Sequence, residues 1–512
     1  MSSTHKQLYK NDALSSIEMR RRREGDCIRL RKIKRQEQFL KRRIGLESCA
    51  SNDLQTADMH IDGHPKITNE LVQLLYSEHG SDQLNATKKL RKLLSDGPNP
   101  PIEEVVRKGL VPQLVSFLRS GSNAALQFEA AWTLTNIASG DSHQTWSLIE
   151  AGAVPILIEL LSSSVQCPEV QEQAVWVLAN IAGDSSMSRD HLLDCGLLVH
   201  LLQTLANTER ISMIRKAVWT LSNLTRFKNP PVDFTKVVPC LPILARLLDF
   251  TDADALADTC RAIGHLLDGP NNQIQTVLDA GVGHRLVELL LHPQQNVSTA
   301  ALKAVGNIAT GEDQQIQVIL DNNALPHISQ LLSSPKEEIK EESCWTICNI
   351  AAGNREHIQA IINASLFPKL VNITQTAEFK TRKMAALVIA NATSGGSSEQ
   401  IKYLVEVGCV PPMCDFLTIL DSDIILVALN ALENILKAGE EHHSRPNPYA
   451  LAIEECCGLD KIEYLQAHEN RDIYQKSFDI IKLYFGSEED DCRMAPVQLE
   501  FDAVMPINGF NF

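Results

Sequence analysis

From about Ile67 onward, apolar residues recur three and four positions apart, the spacing of a helix with one buried face. Ile67, Leu71, Leu74 and Leu75 begin the pattern. Amphipathic runs such as Ile156-Leu-Ile-Glu-Leu-Leu161 and Leu286-Val-Glu-Leu-Leu290 continue it. No stretch alternates apolar and polar residues in the manner of a half-buried strand, so helices are predicted throughout.

The helical pattern repeats. Its clearest mark is a tryptophan with an asparagine four residues later, which places the two side chains together on one helix face. Four such pairs occur: Trp132 and Asn136, Trp176 and Asn180, Trp219 and Asn223, Trp345 and Asn349. The same register runs through Arg261, Lys303, Leu387 and Asn430, with steps of 44, 43, 42, 42, 42, 42 and 43 residues from Trp132 onward. The matching later positions are His265, Asn307, Asn391 and Asn434. A second element keeps the period: Lys108-Gly-Leu-Val-Pro112, Ala151-Gly-Ala-Val-Pro155, Cys195-Gly-Leu-Leu198, Ala280-Gly-Val282, Asn323-Ala-Leu-Pro326, Ser365-Leu-Phe-Pro368 and Val407-Gly-Cys-Val-Pro411. Glycine suits a helix end and proline a first helical turn, so this element reads as the corner between helices.

Two or three helices in about 42 residues is the size of an armadillo or HEAT repeat, and the glycine corner favours armadillo. The expected fold is therefore all-α: an armadillo-repeat solenoid of about ten units over residues 67–485. Lys88–Ser95 fits one early unit, and Leu459–Phe485 fits a last one after an insertion rich in Glu and His at Glu440–Pro448. In that fold class the units stack as a right-handed superhelix, with the last helix of each lining a concave groove.

Charge is unevenly spread. The chain has 48 Lys+Arg and 63 Asp+Glu, a net charge of -15. Arg20–Arg43 holds 12 basic and 3 acidic residues, which leaves 36 basic and 60 acidic elsewhere, a net of -24. A flexible cationic arm (residues 1–45) thus precedes a polar linker (46–66), an acidic body and an acidic tail (486–512). An acidic body attracts basic partners and argues against direct nucleic-acid binding. The 13 cysteines show no CxxC pairing and read as small apolar residues of a reducing compartment. No apolar run reaches the ~18 residues of a membrane helix, and no secretory h-region is seen, so a soluble cytosolic or nuclear protein is expected.

The ladder suggests its own chemistry. Indoles in a row leave slots for the aliphatic stem of Lys or Arg, with cation–π attraction of roughly 0.5–2 kcal/mol each. Asparagine both donates and accepts, so it can hold the main chain of an extended peptide without reading its side chains. Carboxylates at the groove edge would select positive charge: Asp184, four after Asn180, and Asp258, Asp313 and Glu342 are the candidates. A single Trp-x-x-x-Asn is more simply core packing and capping; three consecutive copies in register are not. No catalytic motif, metal spacing or cofactor motif appears, so neither enzyme activity nor a cofactor is expected.

Taken together, these stretches resemble the importin-α family of nuclear import adaptors over nearly the whole chain. The resemblance rests on the Lys41-Arg-Arg43 cluster, Trp132-Thr-Leu-Thr-Asn-Ile-Ala-Ser-Gly140, Asn180-Ile-Ala-Gly-Asp184, Trp219-Thr-Leu-Ser-Asn-Leu224, Asp258-Thr-Cys, Asp268-Gly-Pro-Asn271, the acidic tail and the Phe-Asn-Phe512 ending. It implies a major site for Lys/Arg-rich nuclear localisation signals built by Trp132, Asn136, Trp176, Asn180, Asp184, Trp219, Asn223 and Asp258. Ser139, Gly140, Thr145 and Gln173 match residues that touch the signal's main chain or a signal lysine. A minor site would use Lys303, Asn307, Asp313, Glu342, Trp345, Asn349 and Asn391. The resemblance also implies importin-β capture of the arm, autoinhibition by Lys41, Arg42 and Arg43, and an export receptor with Ran-GTP on the last units. Nucleoporins would be further partners, and the protein would shuttle between cytoplasm and nucleus.

The departures from the family pattern fall late in the ladder. Arg261 and His265 stand where Trp and Tyr are usual, Leu387 where Trp is, Met384 where Glu is, and Lys303 keeps the charge of an Arg. The competing reading is an armadillo scaffold of adhesion or signalling, which would lack both the basic arm and the Trp/Asn ladder.

Overall fold

The computed structural model describes residues 67–95, 99–162, 167–226, 229–441 and 447–485. Among them the regular structure is helical, and no strand occurs. One long helix recurs per unit: α1 (Gly80–Ser95), α2 (Ala124–Ile137), α3 (Pro168–Asp184), α4 (Ile211–Thr225), α5 (Ala253–Leu266), α6 (Gln295–Ala309), α7 (Glu337–Ala351), α8 (Phe379–Gly395), α9 (Ser422–Glu441) and α10 (Arg471–Tyr484). Each packs against its successor, so the ten form one continuous layer. Shorter helices, such as Ser142–Glu150 and Ala153–Glu159 before α3, pack against the long helix of their own unit. This is an all-α armadillo solenoid.

The repeat register explains the layer. Two residues after each ladder position stand Leu134, Leu178, Leu221, Ile263, Val305, Ile347 and Ile389, and all seven are fully buried. Three further on stand Ile137, Ile181, Leu224, Leu266, Ile308, Ile350 and Ala392, again buried. These two positions form the apolar stripe that joins neighbouring units. The ladder positions lie roughly 140–160° around the helix from those two positions, on the other side of the helix from that stripe.

At the corners the chain turns through the left-handed region. Gly109, Gly152, Gly196, Gly281 and Gly408 have φ between 67° and 88°. Asn323, Ser365 and Cys457 take the same conformation with φ of 64°, 53° and 55°. The fifth unit differs: a 3-10 turn, Val238–Cys240, leads straight into Leu241–Leu247. Helices after the ladder start on capping boxes at Asp141 with Gln144, Asn354 with His357 and Ser397 with Gln400. Gln400 also donates to the Arg355 carbonyl of the preceding unit at 2.9 Å, so a cap doubles as a link between units.

The expected insertion is partly helix, since α9 continues to Glu441 and a new helix starts at Pro448. Lys41, Arg42, Arg43 and the acidic tail lie outside the described residues. Among the described residues no helix is long and apolar enough to cross a membrane, and no group of His, Cys, Asp or Glu is arranged to hold a metal ion.

Candidate peptide-binding groove

The asparagines of the ladder first serve the solenoid. Asn180 Nδ2 donates to the Thr135 carbonyl at 3.1 Å, Asn223 to Ala179 at 2.9 Å, Asn307 to Gly264 at 2.8 Å and Asn391 to Cys348 at 3.1 Å. In every case the acceptor lies three residues past the ladder position of the preceding long helix. Asn136 reaches back to α1, donating to Ser95 Oγ at 3.2 Å. A helical carbonyl already accepts one N–H, and its second lone pair takes the asparagine. The side chain is thereby fixed by a bond of its own. An amide carries two N–H donors and two acceptor lone pairs, so one bolt leaves capacity for a peptide main chain.

His265 performs the same task in the fifth unit. Its Nδ1 lies 3.0 Å from the Ser222 carbonyl, the equivalent acceptor, which makes Nδ1 the protonated nitrogen. Burial pulls its pKa down to about 3, and the nearby Arg226, Arg261 and Lys303 push in the same direction. The ring is therefore neutral and replaces an asparagine donor with a ring N–H. Asn349 departs from the rule, since its buried Nδ2 has no hydrogen-bond partner.

The indoles are less open than the sequence suggests. Trp132 and Trp176 are half-buried, but each carries a cation of the chain itself. The Arg91 guanidinium sits 4.2 Å from the Trp132 ring centroid and bonds Glu129 at 2.5 Å. Lys216 Nζ sits 5.3 Å from the Trp176 ring centroid and 2.5 Å from Glu172 Oε2. Phe128 meets Trp132 edge-on, with centroids 5.6 Å apart. Sequence reasoning missed Arg91, Glu129, Glu172 and Lys216. The register places Lys216 on the face of Trp219, but its contacts are with Trp176 and Glu172 on the preceding long helix, which spacing along one helix does not report.

Trp219 is half-buried on α4, between these sites and the fifth unit. Asp184 ends α3, where the carboxylate adds to the negative end of the helix dipole and makes a favourable place for an ammonium. Ser142 donates to Asp184 Oδ1 at 2.9 Å, which ties the carboxylate to the preceding unit. Ser139 donates to the Asn136 carbonyl, and Thr145 is fully buried with its hydroxyl on the Ala138 carbonyl at 3.3 Å. Gly140 leaves room for the Gln144 cap: a Cβ there would lie 2.0 Å from Gln144 Oε1. Gln173 is buried, and Thr135 Oγ1 lies 3.5 Å from its Oε1. The bonds from Ser142 to Asp184 and from Thr135 to Gln173 thus join the unit of α2 to α3 at two separate points.

Asp258 and Glu342 are not edge carboxylates in this structure. Asp258 is 1% exposed and held by Arg261 at 2.6 and 3.0 Å, while Glu342 is 4% exposed. Both stand three residues before a ladder position, and that face turns partly into the packing between units. Asp313 starts the helix Asp313–Asp321, where a carboxylate is favourable, and Lys303 is half-buried on α6. Trp345 is 6% exposed and packs against α6 at Gly306, where a Cβ would come within 2.5 Å of its ring. Asn391 is 3% exposed, and Leu387 and Met384 are buried beside it. The first half of the ladder therefore has half-buried indoles with amides, whereas in the second half Arg261 and Lys303 are half-buried and Trp345 and Leu387 are buried.

Comparison with known proteins assigns the ladder to a family. An importin beta binding domain model matches residues 5–88, and armadillo/beta-catenin-like repeats match 98–139, 141–183, 185–226, 270–310, 312–352 and 397–437. An atypical armadillo repeat matches 447–498. Importin subunit alpha-B of Dictyostelium discoideum is 54% identical over 492 residues, covering 95% of this chain and 94% of its own. The chain belongs to the importin-α family. Importin subunit alpha-4 of Arabidopsis thaliana, at 45% identity over 95% of this chain and 92% of its own, agrees. A crystallised engineered protein superimposes with a TM-score of 0.74 at 29% identity, covering 82% of this chain and all of its own. In this importin-α chain the buried thiols of Cys240, Cys260, Cys348 and Cys409 are pushed up to about 12 by burial, so they are packing groups rather than nucleophiles.

Proposed function

We propose that the groove along α2, α3 and α4 binds extended Lys/Arg-rich nuclear localisation signals of cargo, with Trp132, Trp176 and Trp219 flanking signal side chains. The chain is an adaptor of nuclear import, linked to importin-β through its N-terminal region. The observation that carries the groove reading is the bolted asparagine series beside half-buried indoles, with Asp184 at the end of α3. Amides fixed in this way grip a main chain of any sequence. The dipole and carboxylate at α3 select an ammonium.

Lys303, Asn307, Asp313, Trp345, Asn349 and Asn391 form a weaker second site for the other cluster of a bipartite signal. Lys41, Arg42 and Arg43 mimic a signal and compete for the groove until importin-β takes the arm. The last units receive the export receptor with Ran-GTP, nucleoporins act as further partners, and the protein shuttles between cytoplasm and nucleus.

The second half carries one buried indole where the family pattern has more, so bipartite signals gain little over monopartite ones. Fluorescence titration of matched mono- and bipartite peptides tests this. The expected gain from the second cluster is below about tenfold, less than one strong desolvated cation–π contact. A larger gain that Trp345→Ala abolishes would overturn it.

A further inference from the structure

Position minus three of the ladder register shares a helix face with the indole and the asparagine, by the three- and seven-residue spacings. In chain order it holds Glu129, Gln173, Lys216, Asp258, Ala300, Glu342 and Met384. Lys216 is the basic member of that series, and it stands between Trp176 and Trp219. Its stem is largely buried, with the side chain 19% exposed. The ammonium reaches across to α3, 2.5 Å from Glu172 Oε2 and 5.3 Å from the Trp176 ring centroid. Arg210 holds the other Glu172 oxygen at 3.2 Å, and Ser212 donates to that same oxygen at 2.6 Å.

These are the contacts that a bound lysine would seek. An indole face supplies the cation–π attraction, a neighbouring carboxylate supplies the charge, and a half-buried setting weakens competition from water. The first unit shows the same three parts, with Arg91 on Trp132 and Glu129 on Arg91. There the cation comes from α1, outside the first indole. Lys216 sits inside the row, where a peptide must pass. A tethered ammonium loses no association entropy in taking the slot, and a second ammonium beside it meets like charge.

We infer that Lys216 is a resident cation that fills the slot between Trp176 and Glu172 and removes lysine selectivity from one position of a bound basic peptide. The inference rests on the groove reading proposed above. Neighbouring peptide positions keep their preference for lysine, because Asp184 and the remaining indole faces are unaffected. The groove then accepts a neutral residue at one internal position of a signal, flanked by positions that demand Lys or Arg.

The test is a single-lysine-to-alanine scan of a labelled Lys-rich peptide, read by fluorescence anisotropy on the full chain. The wild-type protein should show one internal position where the replacement changes Kd by less than about twofold. In Lys216→Met, which keeps the stem and drops the charge, that same replacement should cost roughly five- to thirtyfold, the range from an exposed to a desolvated cation–π contact. The other positions should not change. Adding Glu172→Gln to Lys216→Met should restore the tolerance, since the slot then lacks its carboxylate. Lys216→Gln serves as a second variant should Met perturb folding, and thermal melting checks both. An identical scan in wild type and variants, with peptide binding intact, overturns this inference alone. Failure of the wild-type chain to bind any Lys-rich peptide overturns the groove reading and this inference with it.

Discussion

At the residue scale, an asparagine such as Asn180, Asn223, Asn307 or Asn391 combines a structural job with the main-chain grip proposed for the groove. It bolts its long helix to a carbonyl three residues past the ladder position of the previous one, and the same bond sets the amide that a peptide main chain would meet. His265 shows that the donor, not the asparagine itself, is what the bolt needs. Because His265 is held down to about 3 while an unfolded histidine titrates near pH 6.5, the unfolded chain binds a proton between these values that the folded chain does not. Stability from this group is therefore fully present above about pH 6.5 and falls as pH drops toward 3. His265→Asn keeps the donor and removes the titration. Its melting temperature should change little near neutral pH and fall less steeply on the acid side than in the wild type. Parallel curves would mean that the ring is charged when folded. The ladder was legible in the sequence because spacing alone reports it. Arg91 and Lys216 were not, because each cation's indole lies on another helix about 40 residues away, and a lysine on a helix surface looks like any solvated lysine.

At the element scale, the corners and the close approaches between long helices are different kinds of constraint. Gly152 has φ of 74°, and a Cβ there would find nothing within 4 Å, so the cost of substitution is backbone strain alone. Gly306 is helical, and a Cβ there would press on the Trp345 ring at 2.5 Å and on Thr346 Oγ1 at 2.9 Å. Gly152→Ala should destabilise by about 1–2 kcal/mol, and Gly306→Ala by a similar or larger amount, about 1–3 kcal/mol. Only Gly306→Ala should also change the Trp345 fluorescence. An unaltered emission spectrum in Gly306→Ala would contradict the packing described. The Gly corners were readable because glycine marks a left-handed turn. Asn323, Ser365 and Cys457 took their places through the period of the sequence, which fixed the position without revealing the conformation.

At the scale of the whole molecule, charge and architecture point the same way. Residues 1–45 contain the basic stretch, and the rest of the chain is strongly acidic. Deleting residues 1–45 should strengthen binding of a basic peptide and abolish binding of importin-β, with the gain shrinking as salt rises. An armadillo scaffold without a transport role would show neither effect. The solenoid itself was legible, because each unit repeats its apolar stripe every 42 to 44 residues. The partial closure of the second half was not, since burial of Asp258, Glu342 and Trp345 depends on how adjacent units pack. The most direct test of the account is titration of a Lys-rich peptide onto the chain carrying Trp176→Ala together with Asp184→Lys. Loss of one indole wall and reversal of the α3 carboxylate should weaken binding on the order of 100-fold or more, with the fold intact by melting. Affinity within about twofold of the wild type would contradict the claim that this groove reads basic signals.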